Sequence, residues 1–267
     1  MVDGANILHV KQTDEGVLRL TMDDQRTRNA LSEGMMESLI EEITKASSND
    51  FIRVIVIASN GPVFSAGHDL KKITQVRNQN DSGQEYFEKL FDTCSLLMKL
   101  IVSCPKPVIA EVPGIATAAG CQLVASCDLA TASDSAQFAT PGVNIGLFCS
   151  TPMVALSRNV SKKHAMEMLL TGDMIDAGKA KEIGLINSYF PVTELTKETM
   201  VLANKIASKS SMTISIGKSA FYGQSDLDLS SAYEYTSKVM VENLLKEDAK
   251  EGIGAFIEKR PPTWGDK

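Results

Sequence analysis

The apolar positions of this chain change period several times, and each change predicts an element. Two stretches, Ile7 to Gln12 and Val17 to Met22, read as strands parted by a turn at Asp14-Glu15-Gly16. From Ser32 the period lengthens. Met35, Met36, Leu39, Ile40 and Ile43 recur on one face, with Ser32 as N-cap and Glu33 in the first turn, which predicts a helix to about Ser47. Val54 to Ala58 and Val108 to Val112 are nearly unbroken apolar runs, the pattern of parallel strands covered on both faces, and Leu129 to Ala132 is a weaker third. Between the first two, Thr74 to Gln84 is polar and reads as a mobile loop over a site, followed by a helical pattern from Tyr86 to Ile101.

Beyond Thr151 the pattern is helical. Asp176 can cap a helix that stops at Gly184, and further helices are expected near Thr193 to Ser208, Met212 to Phe221, Ser230 to Leu245 and Lys250 to Lys259. A β/α core followed by an all-helical tail is the implied architecture, with no internal repeat and no composition break.

Composition then narrows the function. With 267 residues, 43% hydrophobic and 22% charged, the chain suits one globular core. A formal charge of -6 argues against a nucleic-acid partner, since phosphates need clustered cations. No apolar stretch approaches the ~20 residues of a bilayer span, and Met1 to Val10 carry no signal pattern, so a cytoplasmic protein, or a mature mitochondrial matrix protein, is expected without a membrane span. Five cysteines without a Cys-x-x-Cys pair and only three histidines imply neither a disulfide framework nor a metal site. Gly217-Lys218-Ser219 ends like a phosphate-binding loop, but position 212 is Met where Gly is required.

Three segments remain unexplained by packing alone: Arg26-Thr-Arg-Asn-Ala-Leu31, Val63-Phe-Ser-Ala-Gly-His-Asp-Leu70, and the small-residue run from Pro113 through Ala118-Ala119-Gly120 to Asp128. Together with Phe138-Ala139-Thr140-Pro141, Leu170-Thr171-Gly172-Asp173 and the tail from Lys250 to Arg260, they resemble the crotonase (enoyl-CoA hydratase/isomerase) superfamily in order and spacing. The resemblance implies an α/β fold, a crotonase (ClpP-like) ββα spiral core over residues 1-190, and a C-terminal helical trimerisation region over 191-267. It implies a coenzyme A thioester as substrate, no permanently bound cofactor, and a homotrimer or dimer of trimers.

The same resemblance assigns roles by position. The backbone N–H groups of His68 and Ala119 would form an oxyanion hole for the thioester carbonyl. Arg26, Arg28, Ala30, Leu31, Ala66, His68, Asp69, Leu70, Ala119 and Gly120 would line the CoA groove, with Phe256 and Lys259 covering the adenine end and Lys71 or Lys72 near the phosphates. Where the hydratases carry two glutamates, this chain has Gln122 and Gly142. Neither can act as a carboxylate base, so ordinary hydration is doubtful. His68, Asn144, Cys149 and Ser150 are candidate substitutes, whereas Asp69 reads as structural. A methylmalonyl-CoA-type decarboxylase, also resembled at Ser65 to Asp69, and a silent acyl-CoA-binding protein are the alternative readings.

Overall fold

The computed structural model describes residues 7–266, and along them the chain repeats one path. Strands β1 (Leu8–Gln12) and β2 (Val17–Met22) form an antiparallel hairpin. Helix α1 (Glu33–Ser47) follows, its first turn closed by Ser32, whose Oγ accepts from the Met35 N–H. The path then runs through a strand of one sheet, a short strand of a second sheet, and a helix. Its first pass is β3 (Val54–Ser59), β4 (Val63–Ser65), α2 (Leu70–Val76) and α3 (Gln84–Ser103); its second is β5 (Val108–Val112), β6 (Ile115–Thr117) and α4 (Ala119–Ser126). The third is β7 (Leu129–Ser133), β8 (Gln137–Ala139), a 3-10 turn at Pro141–Ile145, α5 (Pro152–Asn159) and α6 (Lys162–Thr171). Strands β9 (Ile175–Asp176) and β10 (Ser188–Phe190) flank α7 (Ala177–Glu182), and α8 (Val192–Ala207), α9 (Ser211–Gln224), α10 (Leu229–Leu244) and α11 (Glu247–Glu258) complete the chain.

The larger sheet runs β1-β2-β3-β5-β7-β10, parallel except for β1, and the smaller runs β4-β6-β8-β9. This is the ββα spiral that the sequence resemblance implies. Because each pass advances by one strand in both sheets, the residues leaving β4 lie beside those leaving β6. The carboxyl ends of adjacent parallel strands are where open α/β sheets place ligands.

Packing explains the apolar runs. Every residue of β3 is buried. Ile55 and Ile57 face the main core, while Val54 and Val56 meet Ile109 and the α8 residues Ala203 and Ala207 on the other face. Arg19 makes a bidentate pair with buried Glu111, which also accepts from Thr196 of α8, so β2, β5 and α8 are tied by one charge-assisted cluster. Lys218 of α9 donates to Asp128 at 2.6 Å and to the Ile101 and Lys106 carbonyls, and Tyr222 donates to the other oxygen of Asp128. The Lys218 ammonium is therefore spent on docking α9, consistent with the rejected phosphate loop.

Three expectations are corrected. The segment beyond Thr151 is not all helix, because β9 pairs with β8 and β10 with β7; strands of two and three residues show too little alternation to announce themselves. The polar stretch Thr74 to Gln84 is a loop only in part, since α2 runs through Val76 and α3 opens at Gln84. Asp69 starts α2 early by accepting from the Lys71 and Lys72 N–H groups. The chain does repeat structurally, although β4, β6 and β8, of three residues each, leave no periodic mark in the sequence. The leader-free reading of Met1 to Val10 lies for Met1–Asn6 outside the described residues.

Candidate functional site

The segments that leave β4 and β6 meet at Gly67 and Ala118. Gly67 has φ +86°, and a Cβ built there would stand 3.0 Å from the Ala118 Cβ, 3.1 Å from the Thr117 carbonyl oxygen and 3.3 Å from the Ala119 nitrogen. Only glycine takes that conformation and that proximity together. Across from it, Ala118 also holds a positive φ, +50°, which is a strained conformation for a residue with a side chain. Such strain at the mouth of a helix marks a position that the surrounding packing enforces. Gly120, two residues further on in α4, has room for no side chain either, because its Cβ would fall 2.3 Å from the Ser65 carbonyl oxygen.

The result is a pair of neighbouring backbone donors. Ala119 opens α4, so its N–H has no partner within that helix. Among the described residues, neither the His68 N–H nor the Ala119 N–H meets an acceptor. Two free amides this near each other are suited to hold one anionic oxygen, and one of them is the first N–H of α4.

Segment 26–31 braces this pair. The Ala66 N–H donates to the Arg28 carbonyl at 3.1 Å, and the Leu31 N–H to the Gly67 carbonyl at 2.8 Å. Arg28 and Asn29 both take positive φ, which exposes the Arg28 side chain while Asn29 is fully buried. Asn29 accepts from the Asp24 N–H at 2.7 Å and donates to the Asn60 and Val63 carbonyls at 3.0 and 2.8 Å. Sequence reasoning passed over Asn29; an asparagine between two small turns is the residue type that tolerates this backbone and bonds locally, and that was the available signal.

The remaining candidates divide. Ala30 and Leu31 are buried beside the braced segment, and Ala66 is half-buried. Asp69 caps α2, in keeping with its structural reading; Leu70, Lys71 and Lys72 are exposed, and Lys72 Nζ lies 5.8 Å from the Tyr86 ring. The Arg26 side chain is exposed near Asp24. Phe256 and Lys259 stand at the end of α11, which packs on α10; Phe256 is 85% exposed and Lys259 closes the helix in the left-handed region. Within this one chain they do not join segment 26–31. Arg260 is held by Glu251 and Glu258. Asn144 and Ser150 are exposed, and burial raises the Cys149 thiol above its ordinary range, which leaves a poor nucleophile.

Gln122, one turn into α4, is 4% exposed and its Oε1 accepts from the Cys94 thiol at 3.8 Å. Gly142 sits in the 3-10 turn. A Cβ there would fall 2.7 Å from the Leu147 carbonyl oxygen and 2.9 Å from Cys149 Sγ, so the segment 147–149 fills the space that a side chain would need. The His68 ring is half-buried; its Nδ1 lies 3.0 Å from the Leu31 carbonyl oxygen, and burial lowers its pKa below the ordinary imidazole value. Phe91 meets it edge-on, with centroids 5.6 Å apart, and also lines an open groove of about 600 Å³ with Asp81, Phe87, Glu88 and Asp92. Among the described residues no three His, Cys, Asp or Glu side chains cluster as metal ligands, and no helix is long and apolar enough to cross a membrane.

Comparison with known proteins places this geometry in a family. The model of the family described as enoyl-CoA hydratase/isomerase matches residues 12–267. The chain belongs to the enoyl-CoA hydratase/isomerase family. It is 50% identical to human enoyl-CoA hydratase domain-containing protein 3, mitochondrial, over 94% of this chain and 81% of that protein. The crystal structure of the same human protein superposes with a TM-score of 0.92 at 48% identity, covering 97% of this chain and 100% of that one. An enoyl-CoA hydratase structure from Mycobacterium smegmatis gives 0.92 at 44% identity, covering 97% and 98%.

Proposed function

We propose that the chain binds an acyl-CoA and acts on its thioester by stabilising an enolate-like oxygen between the His68 and Ala119 amides, without the hydratases' glutamate pair. The observation that carries this reading is the juxtaposition of those two free N–H groups across Gly67 and Ala118. Each such donor is worth roughly 3 kcal/mol at a transition state and does not depend on side-chain identity. Retention of this pair alongside loss of both carboxylates favours a reaction in which charge builds on the thioester oxygen but no water needs activating.

Decarboxylation is the second reading, since carbon dioxide leaves without a base. Asp81, Glu88 and Asp92 line one groove with Phe91, whose ring meets His68, and their charge disfavours an acyl group with its own carboxylate. A silent acyl-CoA carrier is the third. The names of the mammalian relatives favour a mitochondrial location. Exposed apolar side chains on α9 to α11, including Phe221, Leu229, Tyr233, Leu244 and Ile257, favour burial of this region in a trimer.

The test is direct. Incubation with crotonyl-CoA, methylmalonyl-CoA and CoA should give a thermal shift with each, and crotonyl-CoA absorbance should fall far more slowly than with a glutamate-bearing hydratase. Hydration at ordinary hydratase rates would contradict the reading, and binding without any turnover would leave a carrier.

A further inference from the structure

The peptide joining Gly67 to His68 carries one of the two free donors, and what holds its other end decides where that donor points. In a trans peptide the C=O and N–H point in opposite directions, so fixing one aims the other. Leu31 fixes it: its N–H donates to the Gly67 carbonyl at 2.8 Å. The same residue also accepts from the next side chain along, because its carbonyl oxygen lies 3.0 Å from His68 Nδ1. A carbonyl can only accept, which puts the ring proton on Nδ1 and leaves Nε2 a bare lone pair. Nε2 is buried with no partner, and Phe91 packs its edge against the ring. A second ring proton would have nothing to bond, so the imidazole is kept as a neutral, one-sided donor. Leu31 is itself fully buried, two residues from the pinned Asn29.

We infer that the His68 imidazole is a positioning residue: its Nδ1–H bond to Leu31 closes a two-point clamp on the 67–68 peptide and aims the His68 N–H at the thioester oxygen. The inference rests on the thioester reading above and deepens it. It gives the ring a role that needs no proton transfer to substrate, and it makes segment 26–31 part of the oxyanion hole as well as of the proposed CoA groove.

The experiment reads polarisation of the bound carbonyl rather than turnover. Crotonyl-CoA labelled with carbon-13 at the thioester carbon is bound to wild type and to His68→Asn, His68→Gln and His68→Ala, and the shift of the C=O stretch on binding is measured. Thermal melts and titration with CoA check that each variant folds and keeps its groove. The asparagine amide nitrogen can occupy the place of Nδ1, whereas the glutamine nitrogen is carried out toward that of Nε2. Asn should therefore keep most of the wild-type shift, while Gln and Ala lose about half, the share of one donor in two. A full shift in Gln and Ala, or a loss in Asn equal to that in Gln, overturns the clamp alone. Absence of any shift in wild type that binds CoA overturns the thioester reading itself, and the clamp with it. Should the variants fail to fold, nitrogen-15 spectra of wild type labelled in its histidines decide the tautomer: a His68 proton on Nδ1 is expected, and one on Nε2 overturns the clamp.

Discussion

Gln122 and Gly142, the two positions where the sequence resemblance looks for glutamate, sit in very different surroundings. Around Gln122, α4 is buried along its whole length, and Gly120 fits against Ser65 with no space for a side chain. A glutamate in place of Gln122 would have nearly the same shape. At Gly142 the space that a side chain would need is occupied by the Leu147 carbonyl and the Cys149 thiol, and the Leu147 N–H donates to the Gly142 carbonyl. One position lacks only a charge; the other lacks the space for a side chain. Restoring the pair is thus two different problems, and a double substitution would not recreate a hydratase site in one step.

Four substitutions or conditions can break or sharpen this contrast. The largest effect is expected at the locked helix: Gly120→Val drives a side chain into the Ser65 carbonyl, which is backbone and cannot step aside. A loss of about 3 kcal/mol or more in urea unfolding is expected, and a near-neutral result would mean that α4 is not wedged as described. Gly142→Glu should cost less, about 1–3 kcal/mol, because Leu147 and Phe148 are exposed and their segment can shift outward. A cost exceeding that of Gly120→Val would reverse the comparison.

Gln122→Glu should be milder still at low pH, where the new carboxyl is neutral. Burial raises such a group's folded pKa above its unfolded value, so stability should fall as pH rises through the unfolded pKa, by about 1–2 kcal/mol at pH 7. Melts at pH 5 and 7.5 check this, and trace hydration of crotonyl-CoA should rise in the single variant. No rise in a folded protein would mean that the space at Gly142 matters as much as the charge at Gln122.

The smallest effect concerns His68. Its folded pKa is depressed by burial from the ordinary 6.5, so between the folded and unfolded values the unfolded chain binds more protons. Its stabilising contribution is complete above the unfolded pKa and is lost as pH falls below about 6.5 toward the folded value. Urea midpoints of wild type should drop over that range, and His68→Asn should flatten the drop; an unchanged slope would show that the ring is already accessible to protons.

The parts of the molecule legible in the sequence are those where period and burial agree. Val54 to Ala58 and Val108 to Val112 announced buried parallel strands because both faces are covered, and Ser32 and Asp176 announced helix starts because their side chains cap them. The small sheet was silent, its strands being too short for a period to register. At the site, Gly67 and the Ala118-Ala119-Gly120 run could be marked as places of close approach, but the closing of 147–149 onto Gly142 depends on a loop whose own sequence, Leu147-Phe-Cys149, gives no sign of where it folds. Asn29 and the Leu31 clamp were harder to read for a related reason: the Asn29 amide and the His68 ring meet main-chain carbonyls, and those partners leave no residue-specific trace.

A structure of the protein with a bound, slowly reacting acyl-CoA tests the central claim most directly. The thioester oxygen should lie about 2.7–3.1 Å from both the His68 and the Ala119 nitrogens, with Gly67 still held by Leu31. A thioester oxygen bonded to neither amide, with the pantetheine directed away from Gly67, would contradict it.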